Sequence, residues 1–271
     1  MHFFKKGIMF FFHHIRNNPV YLLAFIINSL KRDFSFKVSF YSAEQLACEV
    51  QHGRSLIRIG DGEVCIMNKG DVHYQKYNPE IDKTLLDSIK NYTEKSGYVI
   101  CINEHVMNKT NAYLRKVKQF RTWLPMKTYY SLYFNKNVTY GDASIFNYKN
   151  YFETYFYPFL KDKVVILVGS TRNVQSFKER AGNVFKTIYY IETKEKNAFD
   201  DNVLLHERID SIIKDFPRES IVILASHGPA GKVLVADYCQ KGITSIDLGI
   251  GVELIFSEKV TPYSLLPKEP A

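Results

Sequence analysis

The segment Arg58-Ile59-Gly60-Asp61-Gly62-Glu63 sets two carboxylates one residue apart on a glycine-containing turn. Carboxylates so placed can converge on one divalent cation. Hard oxygen ligands suit Mn2+ or Mg2+, ions that keep several waters and bind substrate phosphates. Gly62 is expected to supply backbone angles that a side chain resists, and Arg58 and Gly60 stand where a bound phosphate could meet them. The same spacing also occurs in acidic turns that cap a helix N-terminus, so spacing alone leaves both readings open. Three other segments carry reactive types. Ser170-Thr171-Arg172-Asn173 offers hydroxyls, a guanidinium and free amides to a phosphate, or equally a plain helix cap. His227-Gly228-Pro229-Ala230-Gly231-Lys232 brings backbone close, places Lys232 for a phosphate and supplies His227 as a possible base or a structural ring. Glu253, in Gly249-Ile250-Gly251-Val252-Glu253, is a candidate general base in a mostly apolar setting, or a surface carboxylate. Ser226 beside His227 makes no triad, because no oriented third member is evident.

Each of these segments follows a run that reads as a strand. SLIRIG (55–60) precedes the acidic turn, KVVILVG (163–169) precedes Ser170, SIVILAS (220–226) precedes His227, and TSIDLG (244–249) precedes Glu253. Continuous aliphatic runs of this kind belong to strands buried on both faces of a parallel sheet. GYVICIN (97–103) and TIYYIE (187–192) add two more. Helical patterns lie at 42–53, 79–95, 173–182, 201–215 and 229–241, so strands and helices alternate. The expected fold is an α/β, Rossmann-like, doubly wound and mostly parallel sheet with helices on both faces, in which ligands sit beyond the strand carboxyl ends. Residues 104–160, with Trp123, an aromatic run and YGDAS (140–144), are expected to be helices and loops. No repeat or linker is evident.

The 271 residues suffice for one large α/β domain, here 42–271, preceded by an aromatic and basic helical segment, 1–41. The formal charge of +8 favours anionic partners, but the cations form no block and no nucleic-acid motif is present. The four cysteines fit neither a zinc site nor a disulfide pattern, which suits a reducing compartment. The longest apolar run near the start, Val20 to Ile27, is far short of the ~20 residues of a membrane span, and no small-residue cleavage site follows it. Phe3, Phe4, Phe10, Phe11 and Phe12 beside Lys5, Lys6, Arg16, Lys31 and Arg32 could instead lie on an anionic membrane surface or pack on the domain or a partner.

Taken together, SLIRIGDGEVCIMNKGD, YQKYNPEIDKTL, YGDAS, GNVFKTIYYIETKEKNAFDD and LASHGPAGKVLVADYCQKGITSIDLG resemble, in order, the bacterial GT-D type of glycosyltransferase over roughly residues 42–258. The resemblance implies a Rossmann-like fold and an Asp-x-Glu turn, Asp61 and Glu63, that binds Mn2+ together with a UDP-sugar. It further implies that Gln75 and Asn197 stand near the donor and that Glu253 is the base for the acceptor hydroxyl. Two positions depart from the pattern: Ile250 stands where the family usually has His, and the Arg that often follows the GDA segment is missing. The resemblance implies transfer to a glycan or lipid-linked glycan acceptor, in surface polysaccharide or glycoprotein assembly, in the cytoplasm or at the inner face of the plasma membrane. A metal-dependent phosphohydrolase, or a non-catalytic membrane-surface scaffold, would share the charge and the aromatic start.

Overall fold

The structure is a computed structural model that describes residues 18–147, 151–181 and 183–253. Eight parallel strands form one sheet: β1 (Ser39–Phe40), β2 (Ser55–Arg58), β3 (Tyr98–Ile102), β4 (Thr139–Asp142), β5 (Val164–Ser170), β6 (Thr187–Thr193), β7 (Ile221–Ser226) and β8 (Thr244–Asp247). Their order is β1-β4-β3-β2-β8-β7-β5-β6. Every residue of β7 is buried, as are Val164 to Gly169 of β5. Strands without an exposed alternate residue need cover on both faces, and that is why their sequences show no period-two pattern.

The helices are α1 (Pro19–Leu30), α2 (Ala43–Gln51), α3 (Asp61–Met67), α4 (Pro79–Lys90), α5 (Glu104–Met107), α6 (Asn111–Lys116), α7 (Phe120–Tyr133), α8 (Tyr157–Leu160), α9 (Thr171–Ala181), α10 (Asn202–Ile213) and α11 (Pro229–Gln240). Their ends follow local chemistry. Ser42 and Gln45 form a reciprocal capping box at α2. Asn78 accepts from the Glu80 and Ile81 amides at α4, with Pro79 in the first turn.

The sheet is wholly parallel, and the six expected strands and five expected helices are all present. The acidic turn is the first turn of a helix, α3, which starts three residues after β2, as one of the two readings of its spacing had it. Two expectations need correction. Residues 104–160 hold a strand, β4, between β1 and β3. Its sequence Thr-Tyr-Gly-Asp has little aliphatic character, but Gly141 lets it pack: a Cβ there would stand 2.5 Å from Cys101 Sγ and 3.1 Å from Leu46 Cδ1. Finally, β1 lies before the boundary expected at residue 41 and pairs within the sheet, while α1 packs on α7 through Tyr21 and Tyr129, ring centroids 6.0 Å apart. Residues 1–17, with the phenylalanine-rich start, lie outside the described residues.

Overpacking at Gly141 gives a test of this core. Gly141→Ala is expected to lower stability by about 1–3 kcal/mol in chemical denaturation. Adding Cys101→Ala should remove part of that loss, visible as a favourable coupling in the double-mutant cycle.

Candidate active site

A cleft of about 600 Å³ opens at the carboxyl ends of the strands. It is lined by Gly60 and Asp61 after β2, Asn103 after β3, Ala143 and Ser144 after β4, Arg172 and Asn173 after β5, Lys194 and Glu195 after β6, His227 and Gly228 after β7, and Gly249 and Glu253 after β8. Parallel strands point every one of these ends the same way, so segments far apart in sequence meet at one edge.

Asp61 is the exposed first residue of α3, and its Oδ1 accepts from the Gly62 amide at 3.0 Å. Glu63, two residues on, is buried. Its Oε2 accepts from the Gly60 amide at 2.8 Å, and its Oε1 lies 3.2 Å from Lys232 Nζ. Lys232 in turn stands 3.2 Å from Asp247 Oδ2 and donates to the Gly228 carbonyl at 3.3 Å. Burial alone would lower the ammonium's pKa. The carboxylates of Asp247 and Glu63 outweigh that and hold it above its ordinary value. Lys232 is therefore a buried counter-ion to two carboxylates, where the sequence suggested a free phosphate ligand. Arg58 lies alongside, its guanidinium donating to the Leu248 carbonyl.

Gly62 has no positive φ, so backbone freedom is not its role. A Cβ there would meet the Tyr74 hydroxyl at 2.6 Å. Tyr74 also covers Gly228, which does adopt φ +64° and opens α11 as its N-cap. The loop that carries Tyr74 and His73 into the cleft is held from outside. The Asn197 amide donates to the Tyr74 carbonyl at 2.8 Å, and Asn197 Oδ1 accepts from the Lys76 amide at 2.9 Å. Gln75 is buried in the same loop and donates to the Lys76 carbonyl. Neither Gln75 nor Asn197 lines the cleft. They clamp a loop whose aromatic residue does, and nothing in the sequence pattern singles out Tyr74.

On the β5 side, Ser170 Oγ accepts from the Asn173 amide as the helix cap. Asn173 Nδ2 donates to the carbonyl and the hydroxyl of Ser226, both at 2.9 Å, and Ser226 donates onward to the Gly249 carbonyl at 2.7 Å. Three strand ends are thus stitched together, and Ser226 is spent on structure. Thr171 points away, its hydroxyl on Glu192. Arg172 and Glu253 meet across the cleft mouth at 3.3 Å, with the arginine side chain 75% exposed. So exposed a pair contributes little stability, but it fixes where the carboxylate points. Trp123, Met126 and Thr122 of α7 form the facing wall.

His227 is buried with both ring nitrogens covered by protein. Burial, reinforced by the nearby Lys232 charge, pushes its pKa down to about 3. A covered, neutral and weakly basic imidazole is not placed to take a proton from a substrate hydroxyl, whereas the carboxylates of Asp61, Glu195 and Glu253 reach the cleft.

Two stability effects follow. The unfolded chain protonates His227 near pH 6.5, the folded chain only near 3. Stability should therefore fall as pH drops through that interval, by up to ~5 kcal/mol. Stability–pH profiles of His227→Phe should lack that component. Lys232→Met leaves Glu63 and Asp247 facing each other without a counter-ion and should cost about 3–5 kcal/mol in urea unfolding.

Residues 56–254 match the family model for the glycosyltransferase GT-D fold. No curated protein matches. Among solved structures, a glycosyltransferase from Streptococcus sanguinis (domain of unknown function 1792) is similar, with 20% identity, a TM-score of 0.64 and coverage of 79% of this chain and 81% of that one. Another structure of domain of unknown function 1792, described as a distinct glycosyltransferase fold, shows 22% identity, a TM-score of 0.64 and coverage of 84% and 82%. With the match spanning the acidic turn, the Lys232 cluster and Glu253, the chain belongs to the GT-D-fold glycosyltransferases.

Proposed function

We propose that this glycosyltransferase moves a sugar from a UDP-linked donor, with a divalent cation at Asp61 and Glu63, to a hydroxyl of a glycan or lipid-linked glycan acceptor in bacterial surface polysaccharide or glycoprotein assembly. The observation that carries the reading is the convergence of Asp61, Glu63, Lys232, Arg172 and Glu253 on one cleft beyond the strand ends.

The donor set suits Mn2+ or Mg2+. Asp61 is exposed to the cleft, and Glu63, two residues on, lines it with its oxygens on the Gly60 amide and Lys232. An ion that keeps waters and shares itself with substrate phosphates needs only one or two carboxylates. When bound, it would offset the negative charge of the donor diphosphate and of the departing nucleotide. The protein's own groups account for the remainder. The first turns of α9 and α11 open onto the cleft and favour anionic oxygens there. Lys232 holds Glu63 in position through their 3.2 Å contact. Trp123, Met126 and Tyr74 give apolar walls that limit water at the reacting carbon. Glu253, oriented by Arg172, accepts the proton of the attacking hydroxyl.

Thermal unfolding with UDP and Mn2+, singly and together, tests the donor site. At about a hundred times the dissociation constant, ligand adds ~2.7 kcal/mol, or roughly 5–10 °C for a chain of this size. UDP should stabilise only with Mn2+ present, and folded Asp61→Asn should show no shift and no turnover. Glu253→Gln should keep the shift and lose about 10²–10⁴-fold in kcat. A UDP shift without metal, or turnover by Asp61→Asn, would overturn the metal assignment.

A further inference from the structure

Helix α1 is apolar all round but covered on one side only. Tyr21, Leu22 and Asn28 are buried, Tyr21 against Tyr129 of α7 and through its hydroxyl on the Pro125 carbonyl. On the other side Val20, Leu23, Ile26, Ile27 and Leu30 are exposed, Leu23 at 61% and Leu30 at 80%. At helical spacing these five fall within an arc of about 120°. They account for five of the eight large hydrophobic residues exposed among the described residues. A helix this apolar, with only one face packed, has a second partner.

Charge identifies that partner. Residues 1–32 contain five Lys or Arg and no Asp or Glu. Lys31 and Arg32 are exposed at the end of the stripe, and exposed Arg115 of α6 donates to the Ser29 carbonyl at 2.8 Å, which adds a third cation to the same rim. Two copies joined through this face would press these cations together, whereas an anionic lipid surface offsets them. The helix, about 18 Å long, cannot cross a hydrocarbon core of about 30 Å, and no described helix is long and apolar enough to do so.

We infer that α1 is an in-plane docking helix that seats Val20, Leu23, Ile26, Ile27 and Leu30 in the surface of an anionic phospholipid bilayer, with Lys31, Arg32 and Arg115 on the headgroups. This rests on, and deepens, the lipid-linked acceptor reading. The face of α7 against α1 carries Tyr129 and Pro125, while Trp123 and Met126 of the same helix line the cleft. Docking through α1 therefore places the cleft one helix away from the bilayer.

Co-sedimentation of the full chain with vesicles of phosphatidylcholine alone, or mixed with phosphatidylglycerol, tests it at low salt. The wild type should pellet with the mixed vesicles and stay in solution with the neutral ones. Leu23→Ser/Ile27→Ser/Leu30→Ser should lose the binding with its unfolding midpoint intact, and Lys31→Gln/Arg32→Gln should weaken it about thirty-fold. No binding by the wild type, or undiminished binding by both variants, would overturn the inference. So would a wild-type dimer in sedimentation equilibrium that the triple variant dissolves, which would make a second copy the occupant. Binding is read without nucleotide, metal or acceptor, so its failure and the failure of the donor-site assay are separate results.

Discussion

Lys232 reaches from α11 into the gap between α3 and β8, where Glu63 and Asp247 each lie 3.2 Å from its ammonium. Three buried charges in one place are costly to desolvate, and their mutual attraction offsets that cost only while all three stay in register. The cluster therefore fixes the first turn of α3 against the carboxyl end of β8 and the first turn of α11. The same geometry sets what is left for substrate. Glu63 is engaged by Lys232, while Asp61 beside it is exposed and lines the cleft.

Around it the cleft is assembled from short polar segments that would be mobile in isolation. Asn173 and Ser226 bind the β5, β7 and β8 ends to one another. Asn197 ties the loop bearing Tyr74 to the loop after β6. These bonds carry no chemistry themselves. They hold Arg172, Tyr74 and Glu253 to one arrangement, so that ordering entropy is lost on folding and not on binding.

On the other wall, α7 has two tasks. It offers Trp123 and Met126 to the cleft and Tyr129 to α1. One helix thus contacts both the cleft and the partly exposed apolar helix α1.

Much of this was legible in the sequence, for a physical reason. Strands buried on both faces must be continuously aliphatic, so KVVILVG and SIVILAS declare themselves and the residues after them mark the site. Asp61, Glu63, Arg172, Lys232 and Glu253, singled out on that ground, all line the cleft, and the ordered motifs pointed to the family that the match over 56–254 shows. The sequence could not indicate partners. That Lys232 neutralises Glu63, that His227 is covered, and that Gln75 and Asn197 clamp a loop beside the cleft all depend on contacts between segments many residues apart. Strand β4 escaped notice because its fit comes from Gly141 lying against Cys101 and Leu46, a matter of available space. Local pattern determined the strands, the helices and the segments that carry chemistry. Only tertiary packing decided which of those side chains face the cleft and which are consumed in holding it, because burial and pairing belong to neighbours in space.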